Sequence, residues 1–148
     1  MTRVQRMVRR PVLLFLVFVV IAETGCRDSG IRTVPVSGKV TFVGGPPPKN
    51  GTIIFSPIKV DEGLPSRPGR AQFDKDGSFT VTSFQKDDGL LPGTYHPNIS
   101  CWKGNPDSND PISFERLNYV PKDFRPEPVT VSADEDEVNV VINVPRLN

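Results

Sequence analysis

The sequence predicts an all-β protein: a sandwich of about seven short antiparallel strands, following an N-terminal signal peptide. Three observations predict it. Apolar and polar residues alternate with period two in several short runs, of which Val138, Val140, Ile142 and Val144 form the cleanest; that period puts one side of a strand against a core. The 16 prolines and 12 glycines of the 148 residues punctuate the chain too often for long helices. Residues 73–95, FDKDGSFTVTSFQKDDGLLPGTY, read as a strand end, an Asp-Lys-Asp-Gly turn, a return strand, a polar loop and the entry to another strand.

The N-terminus sets the address. Arg3, Arg6, Arg9 and Arg10 precede the apolar run PVLLFLVFVVIA at residues 11–22. A charged n-region and a short apolar h-region define a secretory signal peptide. As a helix, such a run reaches about 18 Å, short of a ~30 Å hydrocarbon core, so a permanent span is the weaker reading. Glu23-Thr24-Gly25-Cys26 follows. It resembles the lipobox of bacterial lipoproteins, in which small residues precede a cysteine that is acylated and becomes the first residue. Glu23 departs from the apolar residue usual there, leaving an uncleaved anchor or simple secretion as alternatives. The resemblance implies lipidation at Cys26, a membrane anchor, and exposure on the periplasmic or cell-surface side.

Residues 1–25 are then signal peptide and residues 26–33 a tether. Removing the first 25 residues leaves 14 basic against 16 acidic residues, a net charge of −2. Signs are scattered, which argues against a nucleic-acid partner. Cys101 falls on the apolar phase of its strand and is expected to be a buried, inert thiol; a Cys26–Cys101 disulfide is the competing reading.

The domain is expected over residues 34–148. Val34, Val36, Gly38, Val40 and Phe42 share one face of the first strand, and Gly-Gly-Pro-Pro-Pro ends it. GTIIFSP at residues 51–57 is the second strand, and residues 58–68 form a loop. Residues 69–73 and 78–82 flank the Asp-Lys-Asp-Gly turn. Residues 94–102 form the next strand, which Pro97 marks for a bulge or an edge position. Residues 103–128, with five prolines, read as an insertion with one helical turn near residues 113–117. Residues 129–131 and 138–144 are expected to close the fold as a pair, across an acidic turn. The topology is read as immunoglobulin-like or prealbumin-like.

Val36-Ser37-Gly38-Lys39-Val40, the Gly-Gly-Pro-Pro-Pro turn, Gly51-Thr52-Ile53-Ile54-Phe55, Asp74–Gly77 before Ser78-Phe79, and Pro92-Gly93-Thr94-Tyr95 together resemble the carboxypeptidase regulatory-like (transthyretin-like) domain. Short lipoproteins of this layout are familiar from planctomycete-type bacteria. The likeness covers residues 34–102 and 129–144; His96-Pro97 and the insertion depart from it. It implies a fold and a surface location, and no peptidase activity.

No catalytic residue, metal or cofactor is expected. Asp74, Asp76, Asp87 and Asp88 lack the ligand spacing of a calcium loop and suit turns. Asp134-Glu135-Asp136-Glu137 reads as a solvated turn. His96, the one histidine, has no paired nucleophile or carboxylate in the pattern. The leading expectation is a structural or protein-interaction module of the cell envelope. The alternative is a carbohydrate- or peptide-binding module whose candidate residues are His96, Asn98, Trp102 and Tyr119, with Ser100 on the same outward phase and Phe114 in the insertion. The competing and favoured reading of this face is that the insertion folds over it and buries Trp102 as a secondary core.

Overall fold

A computed structural model describes residues 31–145. The expected signal peptide, Cys26 and most of the tether lie outside the described residues. Seven strands and one short helix follow in order: β1 (Val36–Phe42), β2 (Gly51–Val60), β3 (Gly69–Phe73), β4 (Ser78–Thr82), β5 (Gly93–Ser100), α1 (Pro111–Arg116), β6 (Val129–Val131) and β7 (Val138–Val144). All seven strands join one mixed sheet in the order β6-β5-β2-β3-β4-β1-β7. The sheet curls until its two outer strands flank one groove, so the architecture approaches a closed barrel.

Alternation is what makes the curl possible. Each strand turns every second side chain inward, and those side chains meet in one cluster: Val36 and Val40 from β1, Ile53 and Phe55 from β2, Ala71 and Phe73 from β3, Phe79 and Val81 from β4, Tyr95 from β5, Val129 and Val131 from β6, and Val140, Ile142 and Val144 from β7. Phe55 and Phe79 pack with ring centroids 6.1 Å apart. The buried Tyr95 hydroxyl donates to the carbonyl of Leu91 at 2.9 Å, which satisfies its polar tip.

Two expectations are corrected. The strands are not all antiparallel: β1 and β7 run parallel in register from Val36↔Val138 to Phe42↔Val144, whereas the other pairings are antiparallel. Nor do residues 129–131 and 138–144 pair with each other. β6 pairs with β5, while β7 pairs with β1 at the opposite end of the sheet. The acidic segment between them is a crossing rather than a hairpin turn: the backbone N–H of Ser132 donates to Glu135 Oε2 at 2.7 Å, and the N–H of Glu135 donates to the Ser132 carbonyl at 3.2 Å. A self-capped turn of this kind redirects the chain without a ladder on its two sides.

Pro97 sits where the sequence places it. β6 covers only Gly93–Tyr95 of β5, so the half of β5 beyond Tyr95 has a partner on one side alone, and the missing N–H disturbs no second ladder. The irregularity is across the ladder, between Pro57 and Lys59 of β2. Helix α1 coincides with the expected helical turn. Asp110 caps it, its side chain accepting from the N–H of Ile112, and Pro111 occupies the first turn.

Candidate functional site

The insertion does not hang free of β5. It folds back through a short ladder: the N–H of Lys103 donates to the carbonyl of Leu117 at 2.7 Å, and the N–H of Tyr119 to that of Cys101 at 2.8 Å. Asn118 holds the corner, its Oδ1 accepting from the N–H groups of Cys101 at 3.0 Å and Val120 at 3.1 Å. The returning chain brings α1 against the end of β5. Phe114 meets the Trp102 ring edge-on, with centroids 5.8 Å apart and planes at 83°, a favoured aromatic geometry.

The result is a cleft of about 280 Å³ whose walls include Asn98, Trp102, Phe114, Lys122, Phe124 and Arg125. Its rim is charged. Lys122 pairs with Glu115 at 2.6 Å, and the Arg125 guanidinium donates to the carbonyls of Lys122 and Phe124. The indole of Trp102 is half-buried, covered on one side by Phe114 and open on the other to a second groove beside Gly51 and Asp74.

Of the four residues singled out from the sequence, the structure gathers two. Asn98 and Trp102 line the cleft; His96 and Tyr119 do not. His96 is half-buried in the register opposite Ser56. Tyr119 packs against the core, with the Lys103 ammonium 5.3 Å from its ring centroid, a cation–π arrangement. Phe114, noted beside that set in the insertion, does line the cleft, whereas sequence reading missed Lys122, Phe124 and Arg125, because the insertion has no periodicity to assign them a face. The signal that could have found them is the run Lys122-Asp123-Phe124-Arg125, an aromatic flanked by two cations in a proline-rich segment.

The carboxylates of Asp74, Asp76 and Asp88 are spent on backbone. Asp88 accepts from the N–H groups of Ser83 at 2.7 Å, Phe84 at 3.0 Å and Gln85 at 2.9 Å, so one carboxylate shapes the loop after β4. Asp74 accepts from the N–H of Asp76, and Asp76 from the N–H of Ser78. The Ser78 hydroxyl, and then its backbone N–H, hold the Asp76 carboxyl at about 2 against an ordinary 3.8. Asp134 is lowered in the same direction, chiefly by the Ser132 hydroxyl. A carboxyl depressed in the folded state adds stability that is complete above its unfolded value and is lost as pH falls toward the folded one. Melting temperature should therefore fall between pH 4 and about pH 2, and the drop should be smaller in Asp76→Asn. An identical decline in the variant would remove Asp76 from the account.

Cys101 is fully buried, and its thiol donates to the carbonyl of Lys49 at 3.4 Å. Burial pushes its pKa up, so little thiolate forms. A maleimide reagent should modify Cys101 at least ~100-fold more slowly in the folded chain than in urea, because reaction waits on opening. Peptide mapping separates this from Cys26; equal rates would show the thiol to be accessible.

Comparison with known proteins finds no matching family model, no matching curated protein and no matching solved structure.

Proposed function

We propose that this protein is a non-enzymatic, lipid-anchored extracytoplasmic module that serves the cell envelope as a structural or protein-interaction element. The observation that carries this reading is the order of parts at the N-terminus. Arginines, an apolar run and Thr24-Gly25-Cys26 are followed after a short tether by Val34, already a buried core residue whose N–H and carbonyl exchange hydrogen bonds with Leu90. An acylated Cys26 supplies several buried chains at about 0.8 kcal/mol per methylene, a firm attachment to the membrane. In this reading the sheet is a variant of the β-sandwich of carboxypeptidase regulatory-like domains, carried as a passive scaffold.

Mass spectrometry of the mature N-terminus tests it. The expected result is a diacyl- or triacylglyceryl Cys26, and loss of membrane association in Cys26→Ala. A Cys26→Ala chain that fractionates with membranes as before would overturn the anchor.

The cleft favours a second reading, a module that binds carbohydrate or an extended peptide. Trp102, Phe114 and Phe124 offer apolar faces, and Asn98, Lys122 and Arg125 offer polar groups around them. As the one tryptophan, Trp102 reports on its own surroundings. Its emission should shift when envelope glycan fragments or peptides occupy the cleft. Emission unmoved by any of them, together with full protection from iodide, would count against this reading.

A further inference from the structure

The two edges of the sheet are built differently. β6 has three residues, is preceded by Glu127-Pro128, and is followed by the acidic segment at residues 134–137. Short length, proline and charge are the devices that keep an edge from pairing with another chain. β7 has none of them. It is seven residues long, VNVVINV, with no charge, no proline and no glycine, and it is hydrogen-bonded to β1 on one side only. Across the groove beside it, residues 124–128 include Pro126 and Pro128, which lack N–H donors; among the described residues that segment makes no backbone hydrogen bond to β7. Val141, at the centre of the strand, is 71% exposed.

The strand is also close to a palindrome. Read outward from Val141, valine meets isoleucine, asparagine meets asparagine, and valine meets valine. The two asparagines already spend opposite ends of their amides on β1. Asn139 donates through Nδ2 to Ser37 Oγ at 3.4 Å. Asn143 accepts through Oδ1 from Thr41 Oγ1 at 3.2 Å and from the N–H of Gly44 at 3.3 Å. In a planar amide the remaining atom faces the other way, so Asn139 presents an acceptor, Oδ1, and Asn143 a donor, Nδ2, on the side away from β1.

We propose that the free edge of β7 pairs antiparallel with β7 of a second copy of this chain, about a two-fold axis at Val141. That axis sets Val141 against Val141, Val140 against Ile142, and Asn139 against Asn143. Each Asn143 Nδ2 can donate to the partner copy's Asn139 Oδ1. The interface is isologous, as a two-fold requires, and its backbone ladder supplies the partners that the edge lacks. No like charges meet within the strands.

The test is the protein mass of the full chain in detergent, by light scattering across a concentration series, on four variants at exposed positions. The unaltered chain should reach the mass of a dimer. Val141→Lys should weaken association about tenfold or more, since like charges would face each other across the axis. Thr130→Lys, on the guarded edge, should change nothing. Asn139→Lys/Asn143→Lys should be monomeric, whereas Asn139→Asp/Asn143→Lys should associate at least as well as the unaltered chain, because the register sets aspartate against lysine twice. Circular dichroism of each variant separates lost pairing from lost folding. A chain monomeric at every concentration, a dimer indifferent to Val141→Lys, or equal behaviour of the two double variants would each overturn the proposal.

Discussion

Replacing Phe55 by alanine is expected to cost about 3–5 kcal/mol, among the largest losses any single side chain can produce here. Phe55 is completely shielded, lies in the middle of the interior strand β2, flanked by β5 and β3, and packs at a tilt against Phe79. Its neighbours Ile53 and Tyr95 are equally buried and are tied into the same sheet, so the walls cannot collapse into the space left behind. The adjoining Ile54 points the other way and is 38% exposed. Its replacement by alanine should stay within about 0.5–1 kcal/mol. Urea denaturation of both variants checks the pair. The midpoint should fall strongly for Phe55→Ala with an unchanged slope, and comparable losses at both positions would mean that the two faces of β2 are wrongly assigned.

The second large effect belongs to Gly77. Its φ of +87° is left-handed, and a Cβ built there would lie 2.0 Å from the carbonyl oxygen of Val40. Gly77 also accepts the N–H of Val40 at 2.8 Å, so the hairpin turn touches β1 directly. Gly77→Ala carries about 1–2 kcal/mol for the left-handed backbone and about 1–3 kcal/mol more for forcing two backbones apart. Gly63 provides the control. Its φ is +82°, but nothing lies within 4 Å of the added carbon. Gly63→Ala should show the conformational part alone. The difference between the two melting curves then reads the close approach to Val40, and no difference would mean that the turn and β1 separate at little cost.

That contrast also shows how much of the fold was legible in the chain. Asp-Lys-Asp-Gly announces a positive φ at Gly77, because the turn requires one and glycine accepts it. Nothing local announces Val40, which arrives from 37 positions earlier in the numbering of the same sequence. The strands themselves were legible because alternation is local: Val36 to Phe42, Ile53 and Phe55, Phe79 and Val81, and Val138 to Val144 all turned inward or outward as their phase dictates. Partner choice was not. β7 carries a period that suits either edge of a sheet, so alternation alone does not choose between β6 and β1. The pairing with β1 runs over all seven residues of both strands, whereas β6 has three.

The candidate site divides along the same line. Asn98 and Trp102 were readable because they follow the strand phase of β5. Lys122 and Phe124 were not, because Asn118 places them through side-chain bonds to the backbone of Cys101 and Val120. His96 shares the phase but stands on the wrong part of the sheet, away from the cleft. Tyr119 is in the insertion but turns to the core.

The parallel partnership of β1 and β7 has a consequence in time. Val36 meets Val138 only after nearly the whole domain has been made, so the sheet cannot be completed on an emerging chain. Contacts of such high sequence separation are formed late and make folding slow. The first strand therefore stays without its final neighbour until the last strand has been made, and the edge of β1 that β7 will cover is open for all of that interval.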